Sequence, residues 1–118
     1  MAIEHVLAVV PVADFEASHV WYERFFGRPA DNIPMEGQLV EWRLTESGWL
    51  QVTTDPGRAG SALVNFAVND LDRHAMDLAR RGLLPGEIIA VNKGVRLSTL
   101  MDPDGNTITL IGSFRTKY

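Results

Sequence analysis

The sequence predicts an α+β fold built from two tandem β-α-β-β-β modules that form a cavity. Three observations carry this expectation. Val12-Ala-Asp14-Phe15 returns as Val68-Asn-Asp70-Leu71 at an offset of 56 residues, and each Asp precedes a helical pattern stopped by Gly27 or Gly82. After each helix come short runs of β-branched, aromatic and aliphatic residues divided by turn signals. Asp55-Pro-Gly-Arg-Ala-Gly-Ser61, the only linker-like stretch, falls near the middle. The 118 residues therefore read as one domain, with module 1 at about 1–54, a linker at 55–61 and module 2 at about 62–118. A unit of this order cannot cover both faces of its sheet, so two of them should enclose space between them.

Each element has a local reason. Ile3 to Val10 is a Val-rich apolar run, read as a buried strand. Asp14 can cap the next segment, and Phe15 to Phe26 places Phe15, Val20, Trp21, Tyr22, Phe25 and Phe26 on a helix that Gly27 and Pro29 end. Ile33 to Met35 is a short strand. Gln38 to Leu44 alternates Val40, Trp42 and Leu44 against Glu41 and Arg43, and a Thr-Glu-Ser-Gly turn leads to a strand from Trp49 to Thr54. In the second half, Ala62 to Val68 is a strand, Asp70 a cap, and Leu71 to Arg81 a helix. Leu84 to Val91 and Val95 to Met101 are strands. Asp102-Pro-Asp-Gly-Asn106 is a dense turn signal, since Pro sets φ, Gly permits positive φ, and Asp and Asn bond nearby amides. Thr107 to Ile111 closes the terminal hairpin.

Composition narrows the function. With 46% hydrophobic and 22% charged residues the chain can bury a real core. A net charge of −4 without a basic stripe argues against nucleic acid and anionic membrane as partners, and favours a cationic ligand over an anionic one. There is no cysteine, hence no disulfide, thiolate metal site or thiol nucleophile, which is compatible with a cytoplasmic location. No run approaches the ~18 apolar residues of a membrane span.

Pro11-Val-Ala-Asp14, the helix Ser18-His-Val-Trp21-Tyr22 ending at Gly27, Val68-Asn-Asp70-Leu71 and Asp102-Pro-Asp-Gly-Asn106 together resemble the vicinal-oxygen-chelate superfamily. That superfamily includes glyoxalase I, extradiol dioxygenases, fosfomycin-resistance transferases and bleomycin-resistance proteins. The resemblance spans nearly the whole chain and implies the glyoxalase-like fold. It also implies where a metal would sit, because metalloenzymes of this kind put His, Glu or Gln at four cavity-facing strand positions. Here those positions hold Leu7, Leu63, Thr109 and, in the first half, Gln51. Two leucines, a threonine and one amide are not ligands for a catalytic ion, so the sequence predicts neither metal nor cofactor.

The same strand parity nominates a lining. If a two-residue turn pairs Leu44 with Trp49, then Val40, Trp42 and Leu44 share a face with Trp49, Gln51 and Thr53, and Glu41 points away. Leu63, Asn65, Leu97, Thr99, Met101 and Thr109 should line the inner face of the second module. Indoles, an adaptable Met, aliphatic walls and a few amides and hydroxyls describe a pocket for a flat, largely apolar aromatic molecule. The alternative is that Trp42 and Trp49 fill a core or dimer seam. The pattern is similar to the metal-free bleomycin-resistance branch, which implies self-resistance by drug sequestration in a C2 homodimer with two sites. Two enzymatic alternatives remain. One is a metal-independent isomerase, cyclase or hydrolase using His5 as acid or base, positioned by Gln51 or Asn65; the other is a glyoxalase-type metalloenzyme. A packing module with no small ligand is the last reading. His19 and His74 lie on helices, where a solvated or packing role is the simpler one.

Overall fold

The computed structural model describes residues 2–114. The first module runs β1 (Val6–Val12), α1 (Phe15–Phe26), β2 (Asn32–Met35), β3 (Leu39–Arg43) and β4 (Gly48–Thr54). The second runs β5 (Leu63–Val68), α2 (Leu71–Arg80), β6 (Ile89–Ala90), a 3₁₀ turn at Asn92–Gly94, β7 (Arg96–Met101) and β8 (Thr107–Gly112). Each module forms one four-stranded sheet, ordered β1-β4-β3-β2 and β5-β8-β7-β6, with β1/β4 and β5/β8 parallel. The duplicated order is the one the internal repeat predicts.

The helices start and stop for the expected reasons. The Asp14 carboxylate accepts from Ala17 N at 3.1 Å and the Asp70 carboxylate from Arg73 N at 3.1 Å, each satisfying an amide that the first turn leaves open. Gly27 ends α1 in the left-handed region at φ 72°, and its N–H bonds the Glu23 carbonyl.

The bounds of two strands and one helix are corrected. The first strand starts at Val6 rather than Ile3 and continues to Val12, because β4 offers partners only from Gly48 to Thr54. His5 therefore lies outside it. The strand expected over Leu84 to Val91 shrinks to Ile89–Ala90, since Pro85 has no N–H and Gly86 turns its N–H and carbonyl to Thr99 O and Ser98 Oγ. The second helix ends one residue early, at Arg80.

A larger correction concerns register. The Thr45 and Gly48 backbones do close a two-residue turn, but the Gly48 carbonyl accepts from both Leu44 N (2.8 Å) and Thr45 N (3.1 Å). Two residues thus oppose one, a bulge that moves the ladder by a single position. Arg43, not Leu44, stands opposite Trp49, and Trp42 faces Leu50. A one-residue slip exchanges the faces of the whole strand. Val40, Trp42 and Leu44 consequently lie on the helix side of the sheet, and Glu41 and Arg43 on the other.

The core gathers on the helix sides of both sheets. Val10, Val12, Val40, Trp42, Leu50 and Val52 from the first sheet join Val64, Leu100, Ile108 and Leu110 from the second in one buried cluster. Trp42 is fully buried against α1, its ring 5.3 Å from Phe26 and 6.3 Å from Tyr22 between centroids. Phe25 and Phe26 also reach Phe66 of β5, at 6.0 and 6.1 Å, so α1 serves both modules.

Polar ties lock the modules together. Asn106, fully buried, donates through Nδ2 to Pro11 O and Asp102 Oδ2, both at 2.8 Å, while its Oδ1 accepts from Ala62 N. Tyr22 Oη donates to Asp102 Oδ2, and Arg81 donates to the Arg24 and Phe25 carbonyls at the end of α1. Among the described residues no buried side-chain nitrogen or oxygen lacks a partner. Among the described residues no helix is long and apolar enough to cross a membrane.

Candidate functional site

Because both helices and the core occupy one side of each sheet, the opposite faces are left open. On the first sheet, β1 presents Leu7 and Val9, β4 presents Trp49, Gln51 and Thr53, and β3 presents Leu39, Glu41 and Arg43. On the second, β5 presents Leu63 and Asn65, β7 presents Leu97, Thr99 and Met101, and β8 presents Thr107, Thr109 and Ile111. Leu63 is 80% exposed, Met101 64%, Val9 51% and Leu7 46%, so within one chain neither open face covers the other.

Each open face carries a polar row across its middle, flanked by apolar and polar side chains. On the first sheet, Asn32, Glu41 and Gln51 stand side by side on β2, β3 and β4, with Val9 next on β1. Asn32 Nδ2 donates to Glu41 Oε1 at 2.9 Å and Gln51 Nε2 to Glu41 Oε2 at 2.8 Å. On the second sheet, Thr99, Thr109 and Asn65 occupy the corresponding row, with the two threonine hydroxyls 3.2 Å apart. Val9 and Asn65 are equivalent under the internal repeat.

Of the residues nominated from the sequence, Leu63, Asn65, Leu97, Thr99, Met101 and Thr109 do share the second sheet's open face, and Leu7, Trp49, Gln51 and Thr53 the first's. Val40, Trp42 and Leu44 do not join them; the bulge turns them to the helix side, where Val40 and Trp42 are fully buried. His5 is exposed ahead of β1 and makes no hydrogen bond to Gln51 or Asn65, so strand geometry does not bring it to the row as an acid or base. Glu41 is the functional candidate that parity missed, since its placement depends on the bulge at Gly48. That glycine is itself a local clue: a Cβ there would meet Thr45 Oγ1 at 2.6 Å.

A cleft of about 710 Å³ also opens between the modules, walled by Phe25, Phe26, Leu44, Phe66 and Leu78. Trp49 and Asn65 contribute to its lining.

No family model matches the sequence, and no curated protein does. Solved structures do. A glyoxalase/bleomycin resistance protein from Catenulispora acidiphila is 30% identical over 95% of this chain and 100% of its own, with a TM-score of 0.88. The chain belongs to the glyoxalase/bleomycin-resistance family. The antibiotic-binding protein TnmS3 from Streptomyces sp. CB03234 is 27% identical over 95% of this chain and 98% of its own (TM-score 0.73). A bleomycin-binding protein solved with bleomycin shares the fold at 18% identity over 95% and 100%, with a TM-score of 0.76.

The metal positions of the glyoxalase/bleomycin-resistance fold can be tested against these side chains. Leu7 and Leu63 offer only hydrocarbon, the Thr109 hydroxyl is beside Thr99, and the Gln51 amide nitrogen is turned toward Glu41. Among the described residues no three His, Asp or Glu side chains converge. This set does not fit a divalent cation, which needs several oxygen or imidazole donors aimed at one point.

Proposed function

We propose that this protein is a metal-free binder that sequesters a planar, largely apolar aromatic natural product or antibiotic and returns it unaltered. One observation carries the reading: two open sheet faces that present Leu7, Val9, Trp49, Leu63, Leu97 and Met101 around a central hydrogen-bonding row, in a family that holds antibiotic-binding members. Trp49 offers a flat ring for stacking, Leu7, Val9, Leu63 and Met101 offer apolar area, and the rows fix orientation by hydrogen bonds. Removing a few hundred square ångströms of apolar surface from water, at about 25 cal/mol per Å², supplies the affinity. Protection is then stoichiometric, because bound drug no longer counts toward the free concentration.

The exposed apolar faces further support a C2 homodimer in which the first sheet of one copy closes over the second sheet of the other, giving two equivalent clefts. The single domain of 1–118, with its linker at 55–61, is the folding unit of each copy.

The test is a titration of the purified protein with planar aromatic antibiotics, following tryptophan fluorescence and recovering the compound for mass analysis. Saturable quenching with unchanged mass is expected. A chemically modified product would replace sequestration with catalysis.

A further inference from the structure

We infer that Glu41 determines the specificity of this cleft, selecting an aromatic ligand that carries a protonated amine. The inference rests on the sequestration reading and names the ligand class for it. Both Glu41 oxygens are held by neutral amides, from Asn32 at 2.9 Å and Gln51 at 2.8 Å. These donors fix the direction of the carboxylate but bring no positive charge to it.

Among the described residues no cation takes that role. The ion pairs among the described residues are His19–Glu23, Arg28–Asp31, Arg58–Asp55, Arg80–Asp77 and Arg96–Asp72, and none includes Glu41. Arg43 shares the open face, but its guanidinium is bonded to the Glu46 carbonyl. The equivalent row on the second sheet, Thr99, Thr109 and Asn65, is neutral. The charge therefore belongs to one wall of the cleft only.

Covering an unpaired carboxylate with an apolar ligand strips its water without compensation, which opposes binding. A ligand ammonium at the same place restores a charge-assisted hydrogen bond in a partly dry setting. Trp49 lies one strand over and two residues along from Glu41, a separation of roughly 8 Å at ordinary sheet spacings. A fused aromatic ring stacked on the indole can reach the carboxylate with an amino group on its edge or a short arm.

The experiment compares 9-aminoacridine, a cation at neutral pH, with acridine, its neutral counterpart, by fluorescence titration of the wild type, Glu41→Gln and Glu41→Lys, with folding verified by thermal melts. The wild type should prefer the cation, and Glu41→Gln should weaken cation binding about tenfold, the scale of one charged hydrogen bond, while acridine binds as tightly or more tightly. Glu41→Lys should reverse the preference. If acridine binds but neither variant alters the cation-to-neutral ratio, this inference falls and sequestration stands. If the wild type binds neither probe, both fall together.

Discussion

Tyr22 Oη donates to Asp102 Oδ2 at 2.8 Å, joining the helix of the first module to the terminal turn of the second across 80 residues of sequence. The bond is buried, and Asp102 uses its remaining capacity on the Asn106 side chain and on the Asp104 and Asn106 amides. Tyr22→Phe removes a donor from a buried acceptor and should cost about 1–3 kcal/mol in urea unfolding at neutral pH.

That same bond gives a pH signature. Burial first, and then the Asp102 charge, push the Tyr22 phenol far above its usual 10.0. Above that pH the unfolded chain releases the proton while the folded one keeps it, so the stability from Tyr22 is whole below about 10 and declines as pH rises further. Tyr22→Phe lacks this loss. The stability gap between wild type and variant should therefore hold up to about pH 10 and narrow as pH rises above it; a constant gap would place the phenol in water.

The two tryptophans of the β3–β4 hairpin should separate cleanly. Trp42→Ala opens a cavity beneath α1 and strips the Arg28 carbonyl of its indole donor at 3.1 Å, an expected loss of about 3–5 kcal/mol in stability. Trp49→Ala should change stability little and cost about 2 kcal/mol or more in ligand affinity. Denaturation midpoints and quenching titrations on both variants decide; equal effects would contradict the assigned faces.

Leu63 tests the dimer. At 80% exposure its replacement by Glu should leave the folded chain intact while placing a charge in the proposed seam. Sedimentation velocity should report a dimer for the wild type and a monomer for Leu63→Glu. A monomeric wild type would remove the second copy from the site.

Gly60 tests how the linker seats against the second module. It adopts φ +89°, and a Cβ there would approach the Asp104 carbonyl oxygen to 2.5 Å. Backbone cannot swing aside as a side chain would, so Gly60→Ala should cost at least about 2 kcal/mol by calorimetry.

Metal analysis is the simplest check on the hydrocarbon at the ligand positions. Protein purified without chelator should hold no stoichiometric zinc, nickel, manganese or iron, by elemental analysis. One tightly held ion per chain would redirect attention to the glyoxalase reaction.

Much of this was legible along the chain because it is locally encoded. The Asp14 and Asp70 caps, the glycine that ends α1 and the Asp102–Asn106 turn act through neighbours a few residues away, and the repeat announces two equivalent modules. Which residues share the open face of the second sheet was legible too, since β5, β7 and β8 alternate without interruption from a turn whose geometry the residues themselves specify. The first sheet was not, and the cause is a single carbonyl. Gly48 O accepts two amides, and that extra residue sends Trp42 into the core and brings Glu41 to the surface.

Sequence alone thus determined the modular α+β fold and where its two helices start, matters of residue type and short-range order. Tertiary structure decided which side of β3 faces out, where His5 falls and that a carboxylate stands in the central row. Those outcomes depend on how one strand registers against the next, and a period-two pattern reads equally well in either phase until its partner is in place.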